Sequence, residues 1–165
     1  MPEIRALTLH QPWASLVAWG VKRYETRPRP LSYRGPLAIH AAKAWSPADE
    51  VVTVALLQEL AKLGALSAET LRDVSGRAHR GCVVAVADLV SCERMVEGDS
   101  PVGPLRDTIG VDSESEVERL CGDWRPGRYA YRLENVRRLD VPIPARGKQG
   151  LWRVEVPEEV LRGAL

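Results

Sequence analysis

Apolar positions recur along the 165-residue chain at two spacings, which together predict strands and helices in an irregular order. Alternating or β-branched runs predict strands, whereas apolar residues three and four apart, opened by Ser or Pro and closed by Gly, predict helices. The predicted strands are 4–9, 21–26, 36–42, 81–90, 128–139 and 151–156. The predicted helices are 11–20, 46–64, 67–73 and 113–122, with a last helical turn from Pro157.

Local signals refine this outline. The almost uninterrupted β-branched run over 81–90 predicts a strand buried on both faces, and Ser113 with Glu116 has the spacing of a capping box. Prolines and glycines predict loops over 27–34, 97–104 and 142–150. The order lacks the regular alternation of a doubly wound sheet. We therefore expect a single α+β domain over 1–165, built as a small, partly open β-barrel of five or six strands with inserted helices.

Composition excludes several classes of protein. Hydrophobic residues make up 45% and charged residues 27%, as in globular domains, and no stretch approaches the ~20 apolar residues of a membrane span. The N-terminus lacks the layout of a signal peptide, so a cytoplasmic location is expected. Cys82, Cys92 and Cys121 form no Cys-x-x-Cys motif and the three histidines are scattered, so we expect no disulfide framework, no metal site and no cofactor.

Charge is segregated into blocks although the net charge is only +1. Residues 1–45 carry seven Lys/Arg and two Asp/Glu, and residues 124–153 carry eight basic and two acidic residues. Between them, residues 97–123 carry two basic and eight acidic residues. Two arrangements are open: the basic blocks meet and form a patch that attracts polyanions, or they pair with the acidic block.

The segment from Gly20 to Arg27 has the highest density of candidate functional side chains. A regular strand would place Lys22 and Glu25 on opposite faces, so their convergence requires a bend near Gly20. A converged pair beside Arg27 could bind a phosphate or a base edge, or tune a general base. A surface strand with ion pairs explains the same residues.

This segment also carries a family resemblance. Gly20-x-Lys22-x-x-Glu25-x-Arg27 resembles the signature of the ASCH domain family, whose β-barrel is similar to that of PUA domains. Three further stretches resemble the family's opening, second and closing motifs, respectively: Leu7-Thr8-Leu9-His10-Gln11-Pro12-Trp13-Ala14, Arg34-Gly35-Pro36-Leu37-Ala38-Ile39-His40-Ala41-Ala42-Lys43 and Gly147-Lys148-Gln149-Gly150-Leu151-Trp152.

The resemblance implies an RNA-binding domain with a basic cleft beside the signature. Lys22 and Arg27 would hold phosphates, Glu25 would accept a hydrogen bond from an exocyclic amine, and Trp13 or Trp45 would stack on an unpaired base. Core packing against Leu16 and Val17 on the same short helix also explains Trp13, and more simply. The full set of expected nucleic-acid-binding residues is Lys22, Glu25, Arg27, His40, Lys43, Trp45, Arg146, Lys148 and Gln149.

Two alternatives remain open at this point. Some ASCH-like proteins resemble acetylcytidine amidohydrolases, so the chain could be a small hydrolase of a modified pyrimidine nucleoside, with Glu25 activating water and Lys22 stabilising the oxyanion. This chain departs from that pattern, because Glu25 stands where those enzymes have a threonine and Thr26 points to the other face. The other alternative is a regulatory domain that binds a protein through the barrel edge, with the acidic segment 97–123 as a partner surface or as a cover over the basic cleft.

Overall fold

Residues 1–75, 79–99 and 107–163, which the computed structural model describes, form seven strands and five helices. The strands are β1 (Glu3–Leu9), β2 (Tyr24–Arg27), β3 (Gly35–Ala41), β4 (Cys82–Val96), β5 (Thr108–Gly110), β6 (Tyr129–Pro144) and β7 (Trp152–Glu155). The helices are α1 (Trp13–Ala18), α2 (Pro47–Lys62), α3 (Ala68–Val74), α4 (Glu116–Leu120) and α5 (Glu158–Leu161). Within these ranges, no helix combines the length and the apolar character needed to cross a membrane.

All seven strands belong to one curved sheet. Its order is β2-β6-β4-β3-β1-β7, and β5 pairs with β4. The β1–β3 and β4–β5 pairs are parallel and the other pairs are antiparallel. The long β4–β6 ladder shifts register three times, and such bulges bend and twist a strand pair. The sheet therefore curls into a partly open barrel with inserted helices, which confirms the predicted α+β fold class.

The core lies inside this curved sheet. Leu7, Leu37 and Ile39 of β1 and β3 pack with Leu89 and Leu133 of β4 and β6, and each is at most 2% exposed. Residues 82–87 of β4 are all buried, as the β-branched run predicts, whereas Val90, at the end of the predicted strand, is exposed. A smaller cluster under α1, α2 and α3 covers one side of the barrel.

Strand β2 forms one end of the sheet, and carboxylates accept hydrogen bonds from the backbone amides on its outer edge. The Tyr24 amide donates to Glu118 Oε1 at 2.9 Å, and the Thr26 amide donates to Glu25 Oε1 at 2.9 Å. Unpaired strand edges normally need such protection. The two carboxylates take the place of a neighbouring strand, so the barrel stays open beside β2.

Several element boundaries differ from the predictions. Strand β4 continues to Val96, β6 runs through Pro144 where a loop over 142–150 is predicted, and β5 was not predicted. The capping box predicted at Ser113 is wrong: Ser115 caps α4, with its Oγ accepting from the Glu118 amide at 3.2 Å. The chain has two overlapping Ser-x-x-Glu matches here, so the pattern alone cannot choose between them. The predicted loop 97–104 extends beyond residue 99, outside the described residues.

Candidate functional site

The motif segment turns sharply before it becomes a strand. Helix α1 is followed by Gly20 at φ +74°, and the amides of Val21 and Lys22 both donate to the Leu16 carbonyl, at 3.0 and 3.1 Å. This turn brings Lys22 Nζ to 3.8 Å from Glu25 Oε1. The structure therefore has the bend that convergence of the two side chains requires, and the motif is not a regular surface strand with ion pairs, since Lys22 is buried.

Lys22 is buried behind the motif. The residue is 1% exposed, its ammonium donates to the Cys121 carbonyl, and Nζ lies 5.6 Å from the centroid of the Trp13 ring. Burial raises the pKa of the Cys121 thiol to about 11, although the nearby Lys22 charge acts in the opposite direction. Lys22 thus supports Glu25 and Trp13 from inside the protein. The expectation that it touches a phosphate directly needs revision, because its charged end is enclosed by protein.

Glu25, which is largely buried, and the half-buried Arg27 form the rest of the charged cluster next to Lys22. Glu25 Oε1 accepts from the Thr26 amide, and Glu25 Oε2 accepts from Arg27 Nη2 at 3.3 Å. Arg27 Nη2 also donates to the Thr8 carbonyl of β1 at 2.9 Å. The Arg27 guanidinium therefore bridges the open side of the barrel, where β2 and β1 are not paired.

A cavity of ≈ 1240 Å³ lies at this opening. Its walls come from the ends of β1 and β3, from β2, and from the connection between β6 and β7. The lining residues are Thr8, His10, Trp13, Glu25, Arg27, His40, Ala42, Lys43, Ala44, Gly81, Pro144, Ala145, Arg146, Gly147, Lys148, Gln149 and Gly150.

Both basic blocks contribute cations to this cavity. Arg27 and Lys43 come from the first block, and Arg146 and Lys148 come from the second. Among the described lining residues Glu25 is the only carboxylate, and it is paired with Arg27. The lining is therefore strongly cationic, although the whole chain is nearly neutral.

Two carboxylates of the acidic block pair with basic side chains that do not line the cavity. Glu114 lies 3.7 Å from Arg23, and Asp123 lies 2.5 Å from Arg125 and 3.5 Å from Arg128. Both charge arrangements considered from the sequence therefore occur, each for different residues. Arg132 and Arg137 of the second basic block pair instead with Glu93 and Asp88 of β4, and Arg138 of the same block stacks on Trp19.

His40 forms part of the cavity wall as a neutral, hydrogen-bonded side chain. Its Nε2 lies 2.8 Å from the Ala145 carbonyl, and its Nδ1 lies 3.2 Å from Thr8 Oγ1. The Trp152 indole donates to the same Thr8 hydroxyl at 3.1 Å. A carbonyl can only accept, so Nε2 carries the proton and Nδ1 accepts from Thr8. Burial lowers the pKa of His40, which favours this neutral form.

Gly147 packs against the hydrogen-bonded His40 and Thr8 side chains. A Cβ at Gly147 would lie 2.7 Å from His40 Cε1 and 2.9 Å from His40 Nδ1, closer than real Cβ atoms approach. Only a glycine permits the loop after β6 to sit on the histidine. The position of Arg146 and Lys148 at the rim therefore depends on a contact between Gly147 and His40.

The structure brings most of the predicted site residues together. Glu25, Arg27, His40, Lys43, Arg146, Lys148 and Gln149 line the cavity. Lys22 lies behind it and Trp45 lies outside its lining. Thr8, His10 and Gly81 also line the cavity, although none of them was among the expected site residues. Thr8 and His10 belong to the stretch that resembles the opening motif of the family. No local signal points to Gly81, which lies at the site because it immediately precedes β4.

The arrangement gives no support to the amidohydrolase alternative. That alternative requires the Lys22 ammonium to face a substrate oxyanion, and the ammonium is enclosed and hydrogen-bonded to Cys121.

Comparisons with known proteins agree with this fold and motif. The family model of the ASCH domain matches residues 7–136. The chain is 27% identical over 151 residues to human activating signal cointegrator 1 and 26% identical to the mouse protein, matches that cover 90% of this chain. They cover only 22% of each relative, so the similarity concerns one part of those longer proteins. Since the family model covers most of the protein, including β2 to β5 and the Gly20–Arg27 signature, the chain belongs to the ASCH domain family.

Proposed function

We propose that this protein binds RNA in the cavity beside the Gly20–Arg27 signature, with the cations of the rim holding phosphates. The observation that carries the proposal is the meeting of the two basic blocks at one concavity, which four Lys/Arg side chains line. A concave, cationic surface raises the local concentration of polyanions even on a nearly neutral protein. Lys43, Arg146 and Lys148 are exposed, so their charged ends are free to contact a backbone.

The chemistry of the inner wall favours a nucleobase over a phosphate. Glu25 would repel a phosphate, but its carboxylate can accept hydrogen bonds from a base. Each carboxylate oxygen accepts one described hydrogen bond, so each retains a lone pair for an N–H donor. The ring of Trp13 lines the same cavity and provides an apolar surface for the base. An unpaired nucleotide with its base inside and its phosphates at the rim satisfies both regions.

Binding titrations at several salt concentrations test the proposal. The probe is a labelled RNA hairpin with a single-stranded loop, and the variant is the triple substitution K43A/R146A/K148A. We expect binding at low salt that weakens steeply with added salt, and a slope of log K against log salt that is about two units shallower in the triple variant. The matched control is K62A/R125A/R153A, which removes the same charge at exposed positions outside the cavity lining.

Two results would overturn the proposal. One is the absence of binding by the unaltered protein at low salt. The other is an equal loss of affinity in the control, which would mean that general surface charge, rather than the cavity, attracts the RNA.

A further inference from the structure

Trp45 differs from the other four tryptophans because it packs against none of the core clusters. Trp13, Trp19, Trp124 and Trp152 each pack against at least one cluster, whereas Trp45 is half-buried and belongs to none. Its described aromatic contact is with the guanidinium of Arg80, whose Cζ lies 5.5 Å from the ring centroid. Arg80 itself is exposed.

The local sequence does not provide Trp45 with a packing partner. Trp45 directly precedes Ser46, the N-cap of α2, and Ser46 is fixed by a reciprocal capping box with Asp49. A hydrophobic residue at this position commonly packs against the fourth residue of the helix. Here that residue is Glu50, which is exposed. The indole is thus held at a rigid helix start without an apolar partner of the usual kind.

The two chain segments that carry Trp45 and Arg80 both border the cavity. Lys43 and Ala44, immediately before Trp45, line the cavity, and so does Gly81, immediately after Arg80. The two segments are packed together: the Gly81 amide donates to the Ala41 carbonyl at 2.8 Å, and a Cβ at Gly81 would lie 3.6 Å from Lys43 Cβ.

We propose that Trp45 and Arg80 form a second subsite, which stacks on the base that follows or precedes the nucleotide in the cavity. Aromatic rings and guanidinium planes both stack on unpaired bases with little dependence on base identity, and an arginine can also pair with the adjoining phosphate. This inference rests on the proposed RNA binding in the cavity. It extends the site from one nucleotide to at least two and adds Arg80, which was not among the expected site residues.

The test compares a mononucleotide with a longer single strand. Cytidine 5′-monophosphate and a labelled hexamer of cytidines are titrated against the unaltered protein, W45A, W45F and R80A. We expect W45A to weaken hexamer binding by roughly 5- to 150-fold, as loss of one stacked base does, and to leave mononucleotide binding unchanged. W45F retains most of the hexamer affinity because a phenyl ring still stacks. R80A weakens hexamer binding more than R125A, which removes an exposed arginine outside the cavity lining.

Failure of this inference can be distinguished from failure of RNA binding itself. If the unaltered protein and W45A bind the hexamer with the same affinity and K43A/R146A/K148A does not bind it, the second subsite is refuted and RNA binding in the cavity stands. Equal losses for the hexamer and the mononucleotide in W45A would also refute it, because Trp45 would then act on the cavity. If the unaltered protein binds the RNA hairpin but not the hexamer at low salt, the second subsite is refuted and RNA binding stands. If it binds neither, both proposals fail.

Discussion

Replacement of Lys22 by methionine tests most directly whether this lysine supports the site or contacts the ligand. Methionine keeps most of the side-chain volume and removes the ammonium. The substitution deletes the hydrogen bond to the Cys121 carbonyl and the 3.8 Å ion pair with Glu25. Because the residue is 1% exposed, water cannot replace these partners in the folded protein.

The expected loss of stability follows from these contacts. Removing one member of a buried ion pair costs about 3–5 kcal/mol when the other charge is left alone. Glu25 is not left alone, since it keeps the Arg27 guanidinium and the Thr26 amide. We therefore expect K22M to lower the free energy of unfolding by about 2–3 kcal/mol. For a chain of this size that corresponds to a fall in Tm of about 5–10 °C.

Urea unfolding of K22M, E25Q and the double variant measures the interaction between the two residues, with K62M as the control at an exposed lysine. We expect K62M to stay within about 0.5 kcal/mol of the unaltered protein. The double variant should recover at least about 1 kcal/mol relative to the sum of the single changes, because the two side chains form one pair. Additive effects would refute the pairing.

The RNA titration provides the second half of this test. If Lys22 acts only from inside the protein, K22M leaves the salt dependence of RNA binding unchanged at a temperature where the variant is folded. A slope shallower by about 0.7, the value for one phosphate contact on a single strand, would show that Lys22 touches the RNA and would refute its placement.

Three further predictions concern stability. In G147A the new methyl group overlaps the His40 ring, so we expect a loss of about 1–3 kcal/mol in urea unfolding together with weaker RNA binding; no change in either would contradict the close contact. The buried Glu118 carboxylate accepts hydrogen bonds from the Arg23 and Tyr24 amides. E118A removes this acceptor and should lower the free energy of unfolding by about 3 kcal/mol, whereas E116A, at an exposed position of the same helix, should change it by less than about 0.5 kcal/mol. Equal effects of the two substitutions would contradict the role of Glu118. Burial lowers the pKa of His40, so the unfolded state binds more protons than the folded state below about pH 6.5, and stability should fall as pH decreases through that range. Urea unfolding at about pH 7.5 and about pH 5.5 should show a smaller pH effect in H40Q than in H79Q, and equal effects would contradict this assignment.

Local signals predicted the elements that depend on neighbouring residues. Ser46, Pro47 and Asp49 begin α2 as expected, and the β-branched run forms the central part of β4. The alternation of side chains along a strand shows that Lys22 and Glu25 can meet only if the chain bends near Gly20, and the structure has this bend. Element ends were less predictable. The extension of β6 through Pro144 depends on pairing with Cys82, which no local pattern contains.

The candidate site shows the same difference between what local signals predict and what long-range contacts decide. The four motifs contain Glu25, Arg27, His40, Lys43, Lys148 and Gln149, which line one cavity. The sequence could not assign their individual roles, because a role depends on burial and on the direction of the side chain. Lys22 shares the signature with Glu25 and Arg27 but points inward.

The amino-acid sequence by itself determined the α+β class, the family signature and the segregation of charge into blocks, since these properties depend on residue type and short spacing. The tertiary structure decided which charges face the cavity and which are neutralised elsewhere. His40 meets Ala145 across 105 positions and Tyr24 meets Glu118 across 94, and such contacts form only when the sheet curls. Long-range burial and pairing therefore separate the cations free to bind a ligand from those that hold the fold together.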